Sequence, residues 1–127
     1  MKEHNLDLEN KKYPEEELEN KINSFDEDDW YSISEYQSLS EEFIEKYSNK
    51  LNWYWISKRQ SLSEKFIEKH SDKVVWEFIS ELQSLSEEFI RKHINKIHIS
   101  WLMNNNFISR KLKNKIKKEI KTLKEII

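Results

Sequence analysis

One phrase is written three times in this chain at an interval of 23 residues, and that period limits the fold more than any other feature. From Trp30 the sequence reads WYSISEYQSLSEEFIEKYSNKLN, from Trp53 WYWISKRQSLSEKFIEKHSDKVV, and from Trp76 WEFISELQSLSEEFIRKHINKIH. Tandem units of this length cannot bury an apolar face alone, so each needs its neighbours, and the end units must differ from the middle ones.

Within each copy the spacing predicts two short helices. The first covers 30–37, 53–60 and 76–83, where the Trp and the Ile three residues on (Ile33, Ile56, Ile79) share a face. The second begins after Leu-Ser. Ser40, Ser63 and Ser86 are the expected caps, with a glutamate at the first helical position to meet the helix dipole. Leu39 with Ile44, Leu62 with Ile67 and Leu85 with Ile90 stand at hydrophobic-staple spacing. Phe43, Phe66 and Phe89, then Leu51, Val74 and Ile97, complete the apolar set.

The ends depart from the phrase. Residues 1–13 are polar and are expected to dock loosely. Pro14 and three glutamates open a helix over 14–24, with Leu18, Ile22 and Phe25 as its stripe. Asp26 to Asp29 form an acidic link whose last residue is placed to cap a helix starting at Trp30. After residue 100 comes a degenerate copy: Trp101 aligns with Trp55, Leu102 with Ile56, Ile108 with Leu62, Ser109 with Ser63 and Leu112 with Phe66. Ile108, Leu112, Ile116, Ile120, Leu123 and Ile127 then line one side of a long basic helix. The fold class expected is all-α, a short α-solenoid-like stack of helical hairpins with atypical end helices. It divides into an acidic segment and capping helix (1–29), three repeats (30–100), and a degenerate fourth repeat with the basic amphipathic helix (101–127).

Composition removes whole classes of chemistry. Gly and Cys are absent and Pro14 is the only proline. Phosphate-binding loops, the dinucleotide-binding turn, the nucleophile elbow and the standard EF-hand loop all need glycine. A disulfide framework needs cysteine, and its absence fits a reducing compartment. No apolar run approaches the ~20 residues that span a bilayer, and MKEHNLDLEN is no signal peptide, so a soluble, cytoplasmic protein is expected. Net charge is only −2, yet residues 1–29 carry eleven acids against four bases, and residues 91–127 eleven bases against two acids. Such a dipolar chain can draw oppositely charged partners to its two ends, or neutralise itself.

No cofactor, metal or catalytic arrangement is read from the residues. His70 and His93 share a register with Tyr47, which suits packing; His98 follows His93 by five residues, poor spacing for two ligands on one helical face. The head tryptophans read as core. Trp55, Phe78 and Trp101 share a register at the edge of the apolar arc, where they either pack between repeats or form an exposed aromatic column extended by Tyr31 and Tyr54. The copies also disagree at Tyr36, Arg59 and Leu82. Candidate contacts for a partner are therefore Tyr31, Tyr54, Trp55, Arg59, Phe78 and Trp101. Candidate contacts for an anionic partner are Arg110, Lys111, Lys113, Lys115, Lys117, Lys118, Lys121 and Lys124, unless that helix is simply a solvated cap.

The recurring W-x-x-I-S-x-x-Q-x-L-S-E-x-F-I-x-K phrase, anchored at Leu39-Ser40-Glu41, Leu62-Ser63-Glu64 and Leu85-Ser86-Glu87, resembles short tandem repeats of large DNA viruses and phage-derived genes. The resemblance covers about residues 30–100 and implies a viral or mobile-element setting. By analogy it implies a small protein that occludes a host defence protein, as anti-CRISPR inhibitors do. A non-enzymatic protein-binding module is thus the leading expectation. Nucleic-acid binding through the carboxy-terminal helix is the alternative, and a structural repeat scaffold the third.

Overall fold

The computed structural model describes the backbone of residues 4–126 and the side chains of residues 4–122. The side chains of Leu123 and Lys124 and the whole of Ile127, which the sequence assigns to the apolar stripe and the basic face, lie outside the described residues. The described residues are helical and irregular, with no strand among them. Helix α1 is Glu15–Asn20, followed by a 3-10 turn at Ile22–Ser24; the repeats supply α2 (Glu27–Tyr36) and α3 (Glu41–Lys46), α4 (Trp53–Arg59) and α5 (Glu64–Lys69), α6 (Trp76–Leu82) and α7 (Glu87–Lys92). Helices α8 (Ile99–Leu102) and α9 (Arg110–Ile126) end the chain. The all-α stack of hairpins is what forms: α2 packs on α4, α4 on α6, and α6 on α8.

Helices of six or seven residues are far below the ~12–15 needed for stability in isolation, so caps and packing hold them. Ser40, Ser63 and Ser86 accept hydrogen bonds from the amides of Phe43, Phe66 and Phe89, as their spacing predicts. Two isoleucines per unit (Ile33 and Ile44, Ile56 and Ile67, Ile79 and Ile90) are wholly buried. Each full burial of this kind contributes about 1.5–3 kcal/mol. Trp30 and Trp76 are buried and Trp53 is half-buried; Trp53 stacks on Phe66 and His70, Trp76 on Phe89 and His93. The indole N–H groups of Trp53 and Trp76 donate to Ser48 and Ser71 carbonyls in the preceding unit.

Polar residues repeat because they also join units. The Gln60 amide donates to the carbonyls of Ser34 and Gln37, at 3.1 and 2.7 Å, and its oxygen accepts from Leu39 N–H. Gln83 makes the same kind of link to the unit before it, donating to the Gln60 carbonyl and accepting from Leu62 N–H. Buried Ser34, Ser57 and Ser80 accept the amides of Asn52, Val75 and His98 through their hydroxyls. The first-turn glutamates, expected only to meet the dipole, reach across as well: Glu41 accepts from the amide and hydroxyl of Ser63, Glu64 from those of Ser86. Farther along, Glu45 binds Lys69 and His70, and Glu68 binds Lys92 and His93. Hydrogen bonds from Lys69 and then His70 hold the Glu45 carboxyl below the ordinary range; for Glu68 the order is His93, then Lys92. His70 and His93 are thus stacked, hydrogen-bonded residues.

The amino-terminal end is more ordered than its polarity suggests, because it is itself a repeat unit displaced by 26 residues. Gln37 donates to Leu8 and Lys11 carbonyls and accepts from Tyr13 N–H, reproducing the Gln60 pattern. Glu15 holds Ser40 as Glu41 holds Ser63, Glu19 takes Lys46 and Tyr47, and Leu18 is wholly buried like Ile44. The interval lengthens because α2 has ten residues where α4 has seven. Its cap is Asp26, which accepts from Asp29 N–H while the Asp29 carboxylate accepts from Asp26 N–H. Asp29 is therefore the third helical residue of a capping box, and its carboxylate also meets buried His4 at 3.0 Å.

At the other end the ladder is closed by substitution. Asn105 replaces the glutamine and donates to Ser80 and Gln83 carbonyls. The corresponding carbonyls of its own unit, Met103 and Asn105, receive the Lys113 ammonium at 3.1 and 2.9 Å. Lys113 stands 23 residues beyond Ile90, in the register of a wholly buried isoleucine. Arg91, in the register of Glu45 and Glu68, reverses the charge and pairs with Glu119 of α9. Ile108, Ile116 and Ile120 dock in the core, with Leu112 half-buried against it.

Two substitutions test this ladder. Gln60→Glu keeps the shape but turns the donor into an acceptor facing two carbonyls. It should cost roughly 2–4 kcal/mol in urea unfolding at pH 7. Because only the protonated acid can donate there, its folded-state pKa lies above its unfolded one, and part of the loss should return as pH falls toward 4–5. Lys113→Ile restores the repeat phrase, a change that ordinarily stabilises by about 0.5–2 kcal/mol. Here it should destabilise by roughly 1–2 kcal/mol, with faster amide exchange over 103–109, because two carbonyls lose a charged donor.

Candidate protein-binding face

The outer sides of α2, α4, α6 and α8 carry the positions at which the copies disagree. Tyr31 meets Trp55 edge-on at 5.7 Å; Tyr54 meets Trp55 at 5.1 Å and Phe78 at 4.9 Å; Phe78 meets Trp101 at 5.9 Å. Five aromatic rings from four helices thus form one continuous edge-to-face run. Pairs of this geometry contribute about 0.5–1.5 kcal/mol beyond area burial. Both sequence readings hold, for different members. Phe78 is buried and Trp55 half-buried between repeats, whereas Tyr31, Tyr54 and Trp101 are 45%, 46% and 36% exposed.

Lys58, which sequence reasoning passed over, sits among these rings. Its ammonium lies 5.2, 5.4 and 5.8 Å from the centroids of Trp55, Phe78 and Tyr54. The signal was available, since Lys58 falls where the other copies have Glu35 and Glu81. Arg59 covers Trp55 at 5.6 Å and pairs with Glu35 at 3.5 Å. A shallow cleft opens between Tyr31, Asn52, Tyr54 and Trp55. The Trp55 indole nitrogen is buried with no hydrogen-bond partner, in contrast to those of Trp53 and Trp76. An unsatisfied buried donor of this kind costs about 1–3 kcal/mol.

The basic residues of α9 do not form one surface. Lys113 is spent on its two carbonyls, and Lys115 reaches Glu87 at 3.8 Å. Arg110, Lys111, Lys117, Lys118 and Lys121 are exposed. Phe107, also unremarked in the sequence, is 68% exposed at the turn before α9. Among the described residues no three metal-binding side chains cluster, and no helix is long and apolar enough to cross a membrane. No protein-family model, curated protein or solved structure matches the chain.

Tyr31 and Tyr54 contribute edge contacts but little buried area. Tyr31→Ala, which loses one ring pair, should lower stability by less than about 1.5 kcal/mol in thermal or urea unfolding, and Tyr54→Ala, which loses two, by roughly 1–3 kcal/mol. Phe78→Ala should lose at least about 3 kcal/mol as a buried ring.

Proposed function

We propose that this chain is a non-enzymatic protein-binding module whose interface is the aromatic strip on α2, α4, α6 and α8. One observation carries the reading. The residues that hold the stack together recur in every repeat, whereas the strip varies. Tyr31 and Tyr54 give way to Glu77, Ser32 to Trp55, Phe78 and Trp101, and Lys58 and Arg59 stand where the other copies have Glu35 and Tyr36 or Glu81 and Leu82. Yet the aromatic members converge on one continuous run. Exposed Tyr and Trp with Arg at the margin form the composition of interface hot spots. The unsatisfied Trp55 donor adds a polar group with no structural task.

The resemblance of the repeat phrase supports a viral or phage setting. In that setting the partner is a host defence protein, and the module acts by covering the surface that protein needs.

The test is capture from host cells by the full-length chain in the presence of nuclease, followed by reconstitution with the purified candidate. A protein that binds wild type directly and loses at least tenfold in affinity to a folded Tyr31→Ala/Tyr54→Ala/Trp101→Ala variant supports the reading. Equal binding by the variant moves the interface elsewhere. Self-association with no other partner returns the chain to a structural scaffold.

A further inference from the structure

We propose a second, separate site: the free basic face of α9, together with Phe107, binds single-stranded nucleic acid. Arg110, Asn114, Lys117 and Lys121 recur at intervals of four, three and four residues, which sets them on one side of the helix. No acid interrupts that side between 110 and 121, and among the described residues Arg110, Lys117 and Lys121 form no ion pair. Cations with a structural task lie elsewhere on the helix: Lys113 caps carbonyls and Lys115 faces Glu87. A helix that served only as a cap would need those and its apolar stripe. The remaining row is in excess of that need, and its positions lie about 10 and 6 Å apart along the axis.

Phe107 is the second observation. In the three repeats its register holds Ser38, Ser61 and Ser84, all exposed; here the same exposed position bears a phenyl ring at 68% exposure. Its amide is fixed by the Asn105 side-chain oxygen at 2.8 Å, so the ring projects from an anchored turn three residues before Arg110. The ring borders an open cleft over the turns at Ser61–Ser63 and Leu82–Ser84. An exposed aromatic ring three residues ahead of a row of cations supplies the two elements that hold unpaired bases by stacking and the strand by its phosphates. An anionic membrane fits less well. Ile116 and Ile120 of α9, and Ile108 before it, are buried against the stack, so among the described side chains the helix keeps its apolar stripe from a membrane.

The experiment is fluorescence anisotropy of the full-length protein with a labelled 20-nucleotide oligo-dT. Three phosphate contacts predict a slope near −2 in log affinity against log salt, so binding should weaken roughly 20-fold between 50 and 200 mM. Arg110→Gln/Lys117→Gln/Lys121→Gln should remove binding, and Phe107→Ser should weaken it at least fivefold, both with unchanged thermal melts. No binding at 50 mM salt, or undiminished binding by the triple variant, overturns the proposal. So does tighter binding to polyglutamate or to phosphatidylserine vesicles than to oligo-dT.

Discussion

A single carboxamide per unit governs this structure. Each first helix ends in a glutamine held extended, with φ near −90° and ψ near 150°. That ending leaves the last carbonyls without intrahelical partners. A helix of many residues tolerates such orphans at its end; in a helix of seven they are a large share of the backbone. The chain has no glycine for a left-handed cap, and no described residue has positive φ. The partner comes instead from the next unit, whose side-chain amide (Gln60, Gln83 or Asn105) donates to those carbonyls. Secondary structure and stacking are therefore one requirement, and neither is met without the other.

This dependence explains what the sequence disclosed and what it hid. The serine caps, the staple leucines and the core isoleucines act within a unit or on a shared face, so periodicity exposes them directly. Gln60, Glu41 and Glu45 recur just as regularly, but their partners lie one unit away, and a single phrase read locally assigns them to helix ends and solvent. The amino-terminal unit escaped notice because three extra residues in α2 shift its interval to 26. Leu18 against Ile44, Glu15 against Glu41 and Glu19 against Glu45 carry that signal. At the other end, Lys113 looks like one lysine among many until it is aligned with Ile90.

The division of labour between recurring and variable positions extends to function. Ring contacts along the strip add to the polar links of the interior; Phe78 packs between repeats, while Tyr31, Tyr54 and Trp101 leave much of their surface outside. Tyr31 and Tyr54 were legible as outward-facing from the helical wheel. For Lys58 the sequence shows only a reversed charge in the register of Glu35 and Glu81; its place among three rings comes from the fold. The basic helix shows the opposite case. Eight cations stood in the sequence as one set of candidate contacts, and among the described ones the fold separates Lys113, which closes the stack, from those that face outward.

Apart from the indole bonds of Trp53 and Trp76, which span five residues, hydrogen bonds and ion pairs between units span 18 to 29 residues in the sequence. Loops of that size close at small entropic cost, and topologies built from them fold quickly. Each hairpin can therefore be completed against the one before it as the chain leaves the ribosome, without waiting for a distant segment. In the degenerate unit the carbonyls of Met103 and Asn105 are met by a lysine that follows within ten residues.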